Sequence, residues 1–352
     1  MKVSRSSTSW LSLTRKSNSS LVLQNTHAAV GVTHTDVCPL RQPHPTSILL
    51  NNNRSGMGHM LKIGIVGSDN SHAIAYSKLI NVMKVTADKC RVVGLWGQED
   101  ARTQEVAAEG QIETIVDQPE DLVDLVDVAI VVDRHGGLHM EHALPFIEKG
   151  MPVYVDKPFA VSLADCRTML AASEKSGSLL LSGSPLRYAP ATTGARAAIE
   201  NIGDIKIAHF AGPCDFDSQY GGAFFYATHV VEVATRLLDD TVESLRAIRH
   251  GKNVAVQLIW KKGTLASFSY LGEAQRHYHV SLFGTEGMVE QEIMPGYSNY
   301  IEVLKALLFM IETGVRPVSE ELLLHPVAVV EAIVQSLAND GALINLSDVL
   351  DA

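Results

Sequence analysis

From residue 61 onward, apolar runs alternate with stretches of helical periodicity. Leu61-Lys62-Ile63-Gly64-Ile65-Val66-Gly67 reads as a buried strand that runs straight into Ser68-Asp69-Asn70-Ser71-His72 and then a helix from Ala73 to about Val82. Val92–Trp96, Val128–Val132 and Met151–Val155 read as further strands, and Leu138–Lys149 as the helix between the last two. Leu179-Leu180-Leu181 closes the set. Strands that alternate with helices predict an α/β fold, a doubly wound parallel sheet with right-handed crossovers.

The pattern changes after residue 183. Ile205–Phe210, Glu243–Arg249, Val254–Trp260, Leu265–Tyr270 and Tyr278–Phe283 read as short strands. Breaks at Gly251-Lys252-Asn253, Lys261-Lys262-Gly263 and Gly284-Thr285-Glu286-Gly287 fit hairpin connections. A helix from about Thr228 to Leu238 precedes most of them, and Val303–Glu312 and Val327–Ala338 read as closing helices. Residues 61–183 and 184–352 are therefore expected to form two domains.

Composition separates off the first 60 residues. They hold six cations against the single acid Asp36, are rich in Ser, Asn and Thr, and lack a sustained apolar period, which predicts disorder. A transit peptide is one reading of this Arg- and Ser-rich tail; a non-structural extension is the other, with Met57 and Met60 just before the first strand. Taking those six cations and one acid from totals of 29 and 39 leaves 23 cations against 38 acids in the folded part. That balance argues against a nucleic-acid surface or an anionic membrane as partner. No window reaches the roughly 18 consecutive apolar residues of a membrane span. Cys38, Cys90, Cys166 and Cys214 are scattered with no CxxC, which suggests neither a disulfide framework nor a zinc site and suits a cytoplasmic location.

The most informative motif is Asp156-Lys157-Pro158 at the end of the Met151–Val155 run. Pro158 restrains Lys157 to extended or turn geometry, and the bond between them can be cis. A cation is thus held at the carboxyl end of a strand, where open α/β sheets bind ligands. The order of Gly67 turn, His139 opening a helix, Lys149-Gly150, Asp156-Lys157-Pro158, Arg187-Tyr188 and Gly221-Gly222 before His229 resembles the Gfo/Idh/MocA family of NAD(P)-dependent oxidoreductases. The resemblance runs from about residue 61 to the C-terminus. It implies a Rossmann domain followed by an α+β domain on an open, mostly antiparallel sheet. It also implies NAD or NADP as cofactor, a small-molecule substrate, and a homo-oligomer formed through the C-terminal sheet.

By the same resemblance, Lys157 hydrogen-bonds the substrate hydroxyl and helps hold the cofactor, and His229 is the general base. The residue types suit these tasks, because an imidazole accepts a proton near neutral pH and an ammonium stabilises a developing alkoxide. Gly67, Ser68, Asp69, Asn70, Ser71, His72, Gln98, His135, His139, Asp156 and Lys157 are the expected cofactor contacts. Arg187, Tyr226, His229 and Glu232 are the expected substrate contacts, with Arg187 and Tyr226 at the rim.

Three departures accompany the resemblance. Asp69 and His72 stand where GxGxxG places glycines, and would crowd or repel a pyrophosphate unless the turn takes another path with Asp69-Asn70-Ser71 capping the next helix. Gly97-Gln98 replaces the acid expected after the second strand, which leaves NAD against NADP open. Phe225 stands four residues before His229, where an Asp is often found; Glu232 either orients the imidazole or is a solvated acid. His135, His139 and His142 with Asp133 form a cluster that invites a metal, but spacing alone fixes no coordination geometry and no metal is assigned. The leading reading is an oxidoreductase acting on a secondary alcohol or ketone of a polyol or sugar-like substrate. The alternatives are a non-catalytic binding or regulatory protein, and a redox-assisted lyase or isomerase.

Overall fold

The first sheet is built from β1 (Leu61–Val66), β2 (Cys90–Trp96), β3 (Thr114–Ile115), β4 (Val128–Val131), β5 (Val153–Val155) and β6 (Leu180–Ser182). The computed structural model describes residues 60–352; the expected disordered tail lies outside the described residues. The strands are parallel in the order β3-β2-β1-β4-β5-β6, the doubly wound arrangement whose switch point lies between β1 and β4. Every residue of β4, β5 and β6 is buried, as continuous apolar runs covered on both faces require. The crossovers are α1 (Ser71–Ser77), α2 (Asp100–Gly110), α3 (His139–Glu148) and α4 (Leu163–Ser176). α1 starts two residues earlier than the periodicity predicts because the Asn70 side chain accepts from His72 N–H and caps it, and it continues as a π-turn over Lys78–Val82.

The remainder begins with the short helices α5 (Pro185–Tyr188) and α6 (Pro190–Ala198). It continues through β7 (Ile205–Pro213), α7 (Phe224–Leu238), β8 (Val242–His250), β9 (Asn253–Trp260), β10 (Leu265–Leu271), β11 (His279–Gly284) and β12 (Met288–Glu292). It closes with α8 (Tyr297–Thr313), α9 (Glu320–Ala338), β13 (Ile344–Asn345) and α10 (Leu346–Leu350). The second sheet has the order β12-β11-β7-β10-β9-β8-β13 and is antiparallel except for the parallel pair β7–β10. The three expected hairpins connect β8–β9, β9–β10 and β11–β12. β9 alternates buried and exposed residues along its length, the mark of a sheet covered on one face.

α7 and α9 cover that face. His325 Nε2 of α9 accepts from Val242 N at 3.0 Å, and Ser336 Oγ accepts from Ala247 N at 2.9 Å. Among the described residues α9 is the one helix long and apolar enough by composition to cross a membrane, and it packs here as a core helix. The C-terminal helices also return to the first sheet's layer. Tyr300 of α8 stands edge-on to Tyr76 and His72, and Glu331 of α9 accepts from Leu163 N at the start of α4 at 3.1 Å. The described residues, 60–352, thereby make one compact unit.

Candidate active site

The turn after β1 is held by its backbone. Gly67 has φ +97°, and a Cβ there would lie 2.7 Å from Asp133 N. The glycine therefore lets β1 and β4 approach, a requirement of the fold rather than of space for a phosphate. Ser68 Oγ bonds Thr103 Oγ1 at 2.8 Å, and Arg102 Nε donates to Ser68 O at 3.2 Å. The N–H groups of Asn70 and Ser71 have no acceptor among the described residues, as the first groups of a helix do not.

Asp69 and His72 are both tied back into the protein. Asp69 Oδ1 accepts from Arg134 N at 3.2 Å, and burial raises the carboxyl from its ordinary value. His72 is buried, with Nδ1 2.7 Å from Asp156 Oδ2. Of the two readings of this turn, the capping one is observed: Asn70 caps α1, and Asp69 and His72 each have a partner within the fold. The turn fits a dinucleotide through its backbone N–H groups, at the switch point between β1 and β4.

Asp156 is fully buried, and burial alone would raise its carboxyl. His72 outweighs that by charge and contact, and the carboxyl sits well below the ordinary range. Tyr154 Oη donates to Asp156 Oδ1 at 3.2 Å and Asn70 Nδ2 to Oδ2 at 3.4 Å. Asp156 thus joins β5 to the Gly67 turn and helix α1. The Lys157–Pro158 bond is cis. Lys157 Nζ donates to Phe225 O at 3.3 Å and lies 4.8 Å over the Phe225 ring and 5.7 Å from the Tyr226 ring centre. Burial lowers its pKa from the ordinary lysine value, and Asp156 opposes this.

His229 reaches the same place from α7. Its ring is 5.6 Å from that of Tyr226 and 5.7 Å from that of Tyr278. Lys157 and His229 thus converge on Tyr226 from opposite halves of the chain. Burial first, then the Lys157 charge, pushes the imidazole well below its ordinary pKa and keeps it neutral. Desolvation is the larger cause.

Glu232 does not orient the imidazole. That role falls to Ser184, whose Oγ is 2.6 Å from His229 Nδ1 and also accepts from Leu186 N at 3.1 Å as the cap of α5. Glu232 instead accepts from Ser184 N at 3.0 Å and pairs with Arg187 at 3.4 Å, both side chains buried. Burial pushes the Glu232 carboxyl up to about 7 against the lowering by Arg187. Arg187 is therefore not at a rim, and Glu232 is not a solvated acid; together they brace the backbone that carries Ser184. Ser184 was missed because 45 residues separate it from His229. Its only local signal was the Ser-Pro start of a helix.

The histidine loop does not converge. His139 Nδ1 faces Pro158 O at 2.7 Å and its Nε2 faces Asp133 O at 3.0 Å, tying α3 to the cis-proline turn. His142 Nδ1 is 3.0 Å from Asp133 Oδ2, which with burial opposing raises its pKa. His135 Nδ1 accepts from Gly137 N at 3.0 Å. No group of three metal-ligating side chains occurs among the described residues. Gln98 donates to Asp133 Oδ1 and accepts from Ser68 N at 3.4 Å, so it braces the turn where an acid was expected.

A doubly wound parallel sheet with a glycine turn at its switch point, joined to a mixed sheet whose covering helix α7 carries a neutral histidine, is the architecture of a dinucleotide-binding oxidoreductase. Residues 61–184 match the sequence model of the Gfo/Idh/MocA oxidoreductase family, NAD-binding Rossmann fold. An inositol 2-dehydrogenase of Gluconacetobacter diazotrophicus is 26% identical over 229 residues, 62% of this chain and 62% of that relative's length. A 1,5-anhydro-D-fructose reductase of Ensifer adhaerens is 32% identical over 141 residues, 40% of this chain and 41% of that one. The crystal structure of scyllo-inositol dehydrogenase from Lactobacillus casei, with bound NAD(H) and scyllo-inositol, superposes with a TM-score of 0.71. It is 14% identical and covers 82% of this chain and 100% of that one, a likeness of fold.

Proposed function

We propose that this chain is an NAD(P)-dependent dehydrogenase of a secondary alcohol on a polyol-like substrate. The observation that carries the reading is the meeting of Lys157 and a neutral His229 at the Tyr226 ring. The Gly67–Ser71 turn and Lys157 would hold the cofactor, and a bound nicotinamide supplies the hydride acceptor. Lys157 donates to the substrate oxygen and stabilises negative charge as it develops. His229 Nε2, which has no partner among the described residues, takes the hydroxyl proton as the carbinol C–H leaves as hydride. Nε2 is free to accept only when Nδ1 carries the proton and donates to Ser184 Oγ, whose second lone pair takes Leu186 N–H. The inositol dehydrogenase relatives support a polyol as the substrate class. Native mass spectrometry of freshly purified protein, followed by titration with NAD, NADP and their reduced forms, tests the reading. Failure of all four to bind, with no retained nucleotide, would remove it.

We also propose that a second copy covers the open face of the mixed sheet. Met288, Phe283, Ile207, Leu265 and Ile259 are exposed and adjacent in cross-strand register, forming one apolar row over five strands. Light scattering should report an oligomer that Ile207→Lys dissociates; a wild-type monomer at micromolar concentration rejects this assignment.

A further inference from the structure

The rings of Tyr220, Phe225 and Tyr226 form one aromatic shelf, with centres 5.1 Å and 4.7 Å apart in sequence. Three cations stand over it. Arg134 is 4.2 Å from the Tyr220 ring centre and 5.7 Å from that of Phe225, Arg276 is 5.5 Å from that of Tyr226, and Lys157 is 4.8 Å from that of Phe225. Arg91, Arg102, Arg187, Arg249 and Arg316 each reach a carboxylate. Arg134 and Arg276 form no ion pair among the described residues, and their side chains donate no hydrogen bond there. Asp156 is spent on His72, Tyr154 and Asn70, and Asp69 accepts the Arg134 backbone N–H and feels the Arg134 charge as the smallest of the influences on it, without pairing with the guanidinium. Phe225 occupies the place where an acid would have neutralised this corner and accepted hydroxyl hydrogen bonds.

We propose that the substrate is an anionic hydroxy compound, its carboxylate or phosphate gripped by Arg276 and Arg134 while Lys157 addresses the hydroxyl. This rests on the dehydrogenase reading of the same site. Stacking occupies the flat faces of a guanidinium and leaves its in-plane N–H edges for a planar or tetrahedral oxyanion. Arg134 acts on Lys157 as a like charge, and an anion seated among these cations would relieve that repulsion, which a neutral polyol cannot do. Arg134 follows β4 and touches the cofactor turn through Asp69, which makes the dinucleotide's own phosphates the competing source of negative charge.

The test is calorimetric titration of the full chain with myo-inositol, quinate and myo-inositol 1-phosphate, each with and without saturating NADH. One of the two anions should bind at least about tenfold more tightly than myo-inositol in both settings, and which one does so assigns carboxylate or phosphate. Arg276→Gln should weaken that anion about ten- to a hundredfold, the usual worth of a charge-assisted hydrogen bond. Arg134→Gln should act in the same direction. Myo-inositol binding as tightly as both anions, or neither anion binding at all, overturns the proposal. An equal loss of NADH affinity in both variants overturns it too and assigns the cations to the cofactor. Failure of NADH to bind removes the dehydrogenase reading separately, because the titrations without it still report the anion.

Discussion

The Gly67–His72 turn and the Phe225–Glu232 face of α7 both depart from what the family leads one to expect, with opposite consequences. In the turn, the groups offered to a phosphate are backbone N–H groups. Asp69 and His72 stand where glycines were expected, and each side chain is bonded back into the fold, His72 to Asp156 and Asp69 to Arg134 N. On α7 the working groups are side chains. Phe225 in place of an acid alters the charge of the site, and Ser184 takes over the partner position at His229 Nδ1. A site built on backbone tolerates substitution, whereas a site built on side chains is redefined by it.

The largest expected effect breaks the backbone half. Gly67→Val forces a β-branched residue to φ +97° with its Cβ 2.7 Å from Asp133 N, so it should destabilise the protein itself by about 3 kcal/mol or more. Chemical denaturation checks this; a variant as stable as wild type that merely lost dinucleotide binding would show that the turn serves the phosphate alone. On the side-chain half, His229→Ala should lower turnover on the order of 10²–10⁴-fold, the size of a general-base loss. Steady-state kinetics on an identified substrate reads it, and wild-type turnover would move the base to Lys157 or water.

Ser184→Ala is the sharper probe of the same half. Loss of the Nδ1 partner should free the imidazole to change tautomer and cost about tenfold in turnover, with ¹⁵N NMR showing the Nε2–H form gain population. An unchanged tautomer would reduce Ser184 to a helix cap. The pH profile follows from the same charges. Since burial holds His229 well below 6.5, activity should persist as pH falls through 6.5 and fail only below it. Since Lys157 is lowered from 10.5, an alkaline limb should appear before that value.

The smallest effect concerns stability. The folded pKa of Glu232, about 7, lies above the ordinary 4.5, so the carboxyl binds its proton more tightly in the folded state. That contribution is complete below 4.5 and lost as pH rises through about 7. Glu232→Gln should flatten this part of the stability profile, measured by thermal midpoints from about pH 5 to about pH 8. An unchanged slope would place the titration on another group.

Much of this molecule was legible as pattern. β4 and β5 announced themselves as unbroken apolar runs, and β1 as one interrupted only by the exposed Lys62, because parallel strands are buried on both faces. The hairpins of the second sheet were marked by Gly-containing breaks. β3 was not legible, being two exposed residues, and α2 and α4 went unassigned because their interiors are polar with few core positions. The parallel β7–β10 pair brings together segments about 60 residues apart, which no local period encodes. Lys157 was legible from the Pro158 turn beside it, and His229 only from the order Gly221-Gly222 before His229 on which the family resemblance rests. Ser184, Arg134 and Arg276 were not, since only the folded chain sets them against α7.

The central claim is a division of labour in which Lys157 holds both cofactor and substrate while His229 moves a proton. Dissociation constants for NAD and NADH, measured by fluorescence titration in wild type, His229→Ala and Lys157→Ala, test it most directly. The account predicts that His229→Ala binds both forms as wild type does and that Lys157→Ala binds them about tenfold more weakly or worse. Equal affinity in all three proteins, or the larger loss in His229→Ala, would contradict it.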